Sequence, residues 1–177
     1  MLKPTLALVL LASCGAAALQ ADAPKAGEKE LGLQFNYSNL DTGTSSSPNI
    51  ESTQLKASYG YLLTDHHEIG GFLGYTSQKV YQTASTTAFG VAYSYNFQIG
   101  KETTPYLGAH AAFLSSSLPN GALADYKNYY GLEAGLKVYP WDHAGFTFAA
   151  TWDTYVKDHA PDNGTQFALV VGLGLKW

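Results

Sequence analysis

Apolar and polar residues alternate along most of the chain. The last alternating run has an apolar residue at every second position, at Phe167, Leu169, Val171, Leu173, Leu175 and Trp177. A helix would bring residues three or four apart onto one face, whereas a strand turns successive side chains to opposite faces. This run therefore predicts a β-strand with one wholly apolar face.

Seven earlier segments carry the same two-residue period. The weakest is Ile69–Thr76, in which three glycines blur the two faces. The others have their apolar positions within residues 31–37, 55–63, 89–97, 106–113, 130–138 and 146–152. A closed antiparallel barrel with both chain ends on one side needs an even number of strands. The pattern therefore predicts an all-β fold, an eight-stranded antiparallel up-and-down β-barrel.

The connections between these segments alternate between long and short. Long polar loops are predicted at 41–49, 77–86, 115–127 and 156–164, and mostly shorter turns at 64–67, 98–104 and 140–143. Outer-membrane barrels have long loops on the extracellular side and tight turns in the periplasm. The order of lengths therefore predicts that both termini face the periplasm.

The second face of the strands indicates which way the apolar face points. A soluble barrel would place the apolar face inside and expose a charged face to water. Here only 14% of the residues are charged, compared with about 25% in soluble domains, and the second face is mainly Gly, Ala, Ser, Asn and Gln. Such residues fit the narrow interior of a small barrel. The sequence predicts a transmembrane barrel, with a soluble barrel that holds an apolar ligand as an alternative.

Aromatic residues are predicted at both ends of the strands. The chain has 13 tyrosines, 8 phenylalanines and 3 tryptophans, and aromatic girdles mark the two interfaces of a membrane barrel. This distribution favours a chain that crosses a bilayer. The predicted girdle residues are Tyr61, Phe97, Tyr139, Trp141 and Trp177 near the short turns, and Tyr37, Tyr75, Phe113, Trp152 and Tyr155 near the long loops.

The first residues have the layout of a secretory signal peptide. Lys3 precedes the apolar stretch Leu6–Ala12, and small residues then lead to a polar region, as in a cleavable leader. We expect cleavage after Ala21, with Ala18 as the other candidate. In "LASC", Cys14 stands as in the lipobox of bacterial lipoproteins, so lipidation of Cys14 is the alternative. The predicted parts are a signal peptide at 1–21, a short N-terminal periplasmic segment at 22–29 and the barrel at 30–177.

Polar residues on the predicted lumen face form a candidate network. Because an unpaired buried charge is costly, such residues must pair across strands or be hydrated. One hypothesis is an interior network of ion pairs and hydrogen bonds that fills and stiffens the barrel. The alternative is a narrow polar path for water or ions. The residues of this candidate network are Lys56, His110, Glu133, Lys137, Asp153 and Lys176.

A metal site is weakly indicated at the first short turn. His66 and His67 lie between Asp65 and Glu68, and these are residue types that ligate metals. Adjacent side chains in a strand or tight turn point apart, however, so neighbouring histidines rarely chelate one ion. We expect a solvated polar turn, with no metal and no cofactor.

Catalysis and nucleic-acid binding are also disfavoured. His159, Asp153 and Asp158 lie near one predicted loop, and serines lie near others, which are the residue types of a nucleophilic triad. The chain nevertheless has no His-x-Ser-Asn stretch like that of the lipid A deacylases, and we expect no enzyme activity. The net charge of -4 and the absence of a basic run give no reason to expect nucleic acid as a partner.

The terminal "GLGLKW" resembles the C-terminal signal of bacterial outer-membrane proteins. Gly172, Leu175 and Trp177 carry the match, although Val170 stands where a polar residue is common and Trp replaces the commoner Phe. In that family the barrel assembly machinery recognises the signal. The resemblance implies the same partner for this chain during its insertion.

The chain from about Glu30 to Trp177 is similar to small outer-membrane β-barrel domains of the OmpA/OmpX type. The similarity lies in "YGYLLTDHHEIGGFLGY", "TPYLGAHAAF" and "YYGLEAGLKVYPWDHAGFTFAATW". It implies a bacterial outer-membrane location, contact with membrane lipids and lipopolysaccharide, and outer loops open to a surface ligand. We expect a non-enzymatic structural, envelope or surface-interaction role. A narrow porin-like channel for small solutes and a lipid A-modifying barrel enzyme remain alternatives.

Overall fold

The chain folds into a closed β-barrel. A computed structural model describes residues 23–40, 50–79, 83–99, 101–116, 126–157 and 164–177. Each strand pairs antiparallel with the next, and β8 pairs with β1. This confirms the predicted all-β, eight-stranded antiparallel barrel. The strands are β1 (Lys29–Leu40), β2 (Ile50–Leu62), β3 (His67–Lys79), β4 (Thr83–Asn96), β5 (Thr103–Ser116), β6 (Tyr126–Trp141), β7 (Ala144–Lys157) and β8 (Gly164–Lys176).

The predicted signal peptide and Cys14 lie outside the described residues. In the described part of the chain, no helix is long and apolar enough to cross a membrane.

Large apolar side chains point out of the barrel. Phe89 is 63% exposed, Leu132 67% and Leu169 71%, whereas the two residues on either side of each of them are buried. Along β8, exposed and buried positions alternate in step with the apolar pattern. A soluble barrel would show the opposite arrangement, because its apolar face must turn inward. The outward apolar face is that of a transmembrane barrel.

The ladder between β3 and β4 is longer than the sequence predicts. Residues 77–86 were expected to form a long loop, yet Ser77 pairs with Ser85 and Lys79 with Thr83. The sequence does not reveal this extension, because both faces of a strand outside the membrane are in water. Both faces can then be polar, and no apolar–polar alternation is left. The backbone hydrogen bonds of the ladder do not depend on side-chain polarity, so pairing continues.

Eight of the ten predicted girdle residues are exposed on the outer wall. The two exceptions are Tyr139, 1% exposed, and Tyr155, 7% exposed. The girdle prediction is wrong for them because Tyr139 shares the inward direction of Lys137, and Tyr155 that of Asp153, two residues away along the same strand. Both rings fill the lumen instead.

The seam between β1 and β8 closes the barrel. Six residue pairs join these strands, from Glu30 with Lys176 to Phe35 with Val171, whereas twelve pairs join β1 and β2. Lys29 and Trp177 exchange backbone hydrogen bonds of 2.9 and 3.1 Å at the end of the seam. The beginning of β1 and the end of β8 therefore lie side by side.

Residues 23–28, the N-terminal strap, fold against the short-turn end of the barrel. Pro24 is fully buried, and Gln98 Nε2 donates hydrogen bonds of 3.0 Å to the carbonyls of Pro24 and Asp65. The Gly27 amide donates to the Leu62 carbonyl at 2.8 Å. Gly27 has a φ of 88°, a left-handed conformation that favours glycine. The strap is thus part of the folded barrel.

Candidate functional site in the barrel lumen

The lumen of the described strands contains ionisable side chains of both signs. They are held away from water, and Lys56, the most exposed, has 16% of its side chain accessible. Buried charges are stable only when they are paired and hydrogen-bonded. The geometry around each one therefore decides what the lumen can do. These residues are Glu30, Lys56, Glu68, His110, Glu133, Lys137, Asp153 and Lys176.

Lys137 lies at the centre of a cluster near the short turns. Its Nζ atom donates to Glu30 Oε2 at 2.8 Å and to Glu68 Oε2 at 2.7 Å. The Tyr139 hydroxyl also donates to Glu30 Oε2, at 2.8 Å, and the Ser94 hydroxyl donates to Glu68 Oε2 at 3.2 Å. One lysine on β6 thereby binds carboxylates on β1 and β3.

Lys176 completes this end of the lumen. It is 3% exposed and lies opposite Glu30 in the register of the seam. Its Nζ atom stands 4.7 Å from the centre of the Tyr139 ring, within range of a cation–π interaction. The positive side chain therefore lies against an aromatic face and beside a cluster that contains two carboxylates and one lysine.

A second cluster crosses the middle of the barrel. Lys56 on β2 and Glu133 on β6 stand on opposite walls, and 3.4 Å separates their Nζ and Oε2 atoms. The Tyr106 hydroxyl donates a short hydrogen bond to Glu133 Oε1. Tyr106 lies opposite Gly135 in the β5–β6 register, and a Cβ at Gly135 would lie 2.6 Å from the Tyr106 ring. The glycine makes room for the ring across the lumen.

A third cluster lies toward the long loops. His110 Nε2 and Asp153 Oδ1 are hydrogen-bonded at 2.7 Å. These residues lie on β5 and β7, and Gly131 of β6 stands between them in the register. A Cβ at Gly131 would lie 2.6 Å from His110 Nε2, so the absent side chain lets the two groups meet. The ring of Tyr129 packs edge-on against His110, with centroids 5.7 Å apart.

The structure places all six residues of the candidate network in the lumen, but it divides them among the three clusters. Lys137 binds Glu30 and Glu68 rather than Glu133, its neighbour four positions away on the same strand. The sequence reading missed both of these carboxylates. The alternation that turns Leu31 and Ile69 outward also turns Glu30 and Glu68 inward, so it could have identified both carboxylates. They are the second residues of β1 and β3.

The histidines of the first short turn are separated from the carboxylate beside them. Glu68 points into the lumen, while His67 Nδ1 contacts the Tyr93 hydroxyl at 2.7 Å and His66 Nδ1 contacts the Asn96 carbonyl at 2.9 Å. Within the described ranges, no group of three or more His, Cys, Asp or Glu residues could hold a metal ion. Of the candidate catalytic set, Asp153 binds His110, and Asp158 and His159 lie outside the described residues.

Little space remains between the clusters. A cavity of about 80 Å³ touches Lys56, Glu68 and Glu133, and a second of about 20 Å³ touches Gln54 and Asp153. A single water needs about 10–15 Å³ on this measure, so the larger cavity has room for several waters and the smaller one for a single water. At the short-turn end, Leu62, Asn96 and Thr104 are all 0% exposed.

The comparison with known sequences assigns the family. The sequence profile described as "Outer membrane protein beta-barrel domain" matches residues 6–176. The chain belongs to this outer-membrane β-barrel family. The family places it in the bacterial outer membrane, as the outward apolar face requires. No curated protein matches the chain significantly.

Solved outer-membrane barrels share the fold. Neisserial surface protein A is similar with a TM-score of 0.60 and 16% identity, covering 87% of this chain and 99% of that one. The N-terminal barrel domain of Pseudomonas aeruginosa OprF has a TM-score of 0.53 and 18% identity, with 87% and 100% covered. OprG of the same organism has 0.53 and 14%, with 90% and 99% covered. At such low sequence identities, the similarity between these proteins and this outer-membrane barrel is a similarity of fold.

Proposed function

We propose that this protein is a closed, non-enzymatic structural barrel of the outer membrane that does not conduct solutes. The observation that carries the proposal is the filled lumen. Three clusters of paired side chains cross it, and the short-turn end is closed by buried residues and the N-terminal strap. A stable wall with a closed interior suits an envelope protein that displays its long loops.

The energetic argument against a channel follows from the pairing. A solute that passed through the lumen would have to separate Lys56 from Glu133 and Lys137 from its two carboxylates. Separation of a buried ion pair exposes charges that the low-dielectric interior does not solvate. Wide aqueous channels occur in barrels of about 16–18 strands, whereas small barrels are filled by their own side chains.

The same proposal covers orientation and partners. Both termini face the periplasm, so the connections at 41–49, 80–82, 117–125 and 158–163 face outward, where they are open to a surface ligand. Gly172, Leu175 and Trp177 serve as the signal for the barrel assembly machinery, and the structure exposes Leu175 and Trp177 on the outer wall. The apolar wall contacts outer-membrane lipids and lipopolysaccharide.

Conductance tests the closed lumen. The purified barrel, reconstituted into planar bilayers, should give no discrete current steps above those of protein-free membranes. A barrel of known conductance, reconstituted in the same way, is the positive control. Discrete steps from the wild-type barrel would favour the channel alternative.

Lipid chemistry tests the absence of enzyme activity. Cells that express the protein should have the same lipid A mass spectrum as cells without it. A new lipid A species would overturn the non-enzymatic assignment.

A further inference from the structure

A groove crosses the outer wall of the barrel from β2 to β5. It has a volume of about 700 Å³ and faces outward. Its outward side chains include Tyr61, Ile69, Val91, Tyr93, Ala109 and Ala111. Gly70, Ala92 and His110, which belong to the inward set, also touch it, so the groove reaches down to the wall itself.

Small side chains between large ones create this depression. Ala109 lies between Tyr93 and Leu132 in the registers of β4, β5 and β6. On the next outward row, Ala111 lies between Val91 and Tyr130. Leu132 is 67% exposed and Tyr130 54%, so both side chains project from the wall and border the groove on its β6 side. Neighbours on one face of a sheet are close enough for their sizes to shape the surface together.

The groove runs obliquely from the edge of the barrel toward its middle. Tyr61 lies one residue from the end of β2, and Tyr93 three residues from the end of β4. Tyr61, Ile69, Tyr93 and Ala109 are successive register partners and form one outward row. Val91 and Ala111 form the next outward row, two residues or about 7 Å further along the strands at roughly 3.3 Å per residue. The row with the two tyrosines is therefore nearer the membrane interface, and the row of Val91 and Ala111 lies deeper in the hydrocarbon region.

The chemistry of the groove changes along the same direction. Its shallow end carries the Tyr61 and Tyr93 side chains, and the Tyr93 hydroxyl is hydrogen-bonded to His67 Nδ1 at 2.7 Å. Phenols and imidazoles at the headgroup level interact with polar lipid groups while their rings contact hydrocarbon. Its deeper row is lined by Val91 and Ala111, which offer only apolar surface.

We propose that the groove binds one acyl chain of a phospholipid from the leaflet on the short-turn side, with the lipid headgroup beside Tyr61, Tyr93 and His67. The groove is continuous with the bilayer-facing wall, and its polar and apolar ends match the two parts of such a lipid. With the termini in the periplasm, this is the periplasmic leaflet. A second barrel is the less suitable occupant, because its convex wall would cover the groove without filling it.

Photo-crosslinking tests the site. The wild-type barrel would be reconstituted into vesicles of phosphatidylethanolamine and phosphatidylglycerol that contain a trace of phosphatidylethanolamine with a diazirine on one acyl chain. Crosslinked residues are then mapped by mass spectrometry. We expect labelling of Val91, Ala109 and Ala111 about tenfold above outward residues of β6–β8, which corresponds to a preference of 1.4 kcal/mol.

A filled groove provides the decisive variant. Ala109→Phe/Ala111→Phe should lower labelling of β4 and β5 to the level of the remaining wall. The matched control is Ala134→Phe/Ala150→Phe, which adds the same rings to outward positions of β6 and β7 and should preserve the labelling of the groove. Mobility of unboiled protein on a gel reports whether each variant is folded.

Three results would overturn the proposal. They are even labelling around the wild-type wall, undiminished labelling of the filled variant, and crosslinks between two barrels through the groove. If the filled variant does not fold, Ala109→Leu alone replaces it, with the same expected loss at Val91 and Ala111. The headgroup end is tested separately by His67→Ala/Tyr93→Phe, which should reduce labelling by a lipid whose diazirine is on the headgroup.

Discussion

At the scale of single residues, the lumen depends on pairs that the barrel wall brings together from opposite sides. Lys56 and Glu133 belong to strands on facing walls, so their contact requires the closed barrel. An ion pair of this kind contributes less to net stability than the loss of one member costs, because the remaining charge stays buried.

We expect Glu133→Gln to destabilise the barrel by about 3 kcal/mol, as for a buried pair that loses one partner. Urea unfolding in lipid vesicles, followed by gel mobility, measures this. The double variant Lys56→Met/Glu133→Gln is the control, since it leaves no unpaired lysine and should recover most of the loss. Equal stability of the wild type and the single variant would contradict an energetic role for the pair.

Gly131 gives a second prediction at this scale. A methyl group there would stand 2.6 Å from His110 Nε2, so Gly131→Ala should disrupt the bond to Asp153 and cost about 1–3 kcal/mol through overpacking. At Gly71 a Cβ would meet only the Gly90 carbonyl oxygen at 3.6 Å, so Gly71→Ala is the matched control. The same unfolding assay compares the two variants, and equal effects would count against the spacing argument.

At the scale of elements, the N-terminal strap is held by few but specific contacts. Gln98, in the second short turn, donates to the carbonyl of Pro24 in the strap and to that of Asp65 in the first short turn. The Ala26 amide of the strap donates to Asp65 Oδ1 at 2.8 Å. Two of these three bonds are exposed and the bond to Pro24 is partly buried, and each contributes modestly to stability. The strap is therefore the element whose local opening should be easiest to alter.

Gln98→Ala should loosen the strap without unfolding the strands. The loss of two hydrogen bonds is worth about 1–2 kcal/mol, and about tenfold faster exchange of the Gly27 amide corresponds to 1.4 kcal/mol. Hydrogen exchange measured by NMR in detergent micelles reports this amide. Lys101→Ala in the same turn is the control, and unchanged exchange in Gln98→Ala would show that the strap does not depend on this side chain.

The elements also show how far the sequence can be read. Strong alternation, as in β8 and β4, predicted strands and the faces they present, because in a bilayer the outward positions must be apolar. The sequence predicts a loop at the polar ends of β3 and β4, because hydrogen-bonded pairing outside the membrane leaves no apolar period. Partner choice in the lumen was unpredictable for Lys137, because it depends on which inward residues of other strands share its depth.

At the scale of the whole molecule, the direction of insertion decides which connections face the exterior. An epitope inserted at Asn120, in a long connection outside the described residues, should be labelled by antibody on intact cells. An epitope inserted at Asp142, in a short turn, is the control and should be labelled only after permeabilisation. The reverse result would invert the proposed orientation.

The short seam between β1 and β8 has a mechanical consequence. Six residue pairs hold the first and last strands together, half as many as join β1 and β2. A force that pulls the two chain ends apart would break these pairs one after another, starting from the end of the seam at Lys29 and Trp177. The other ladders would bear the force only afterwards. The force at which the barrel opens between its first and last strands is therefore set by this shortest ladder, and the Lys137 bonds to Glu30 on β1 and Glu68 on β3 hold these strands to β6 from inside the lumen.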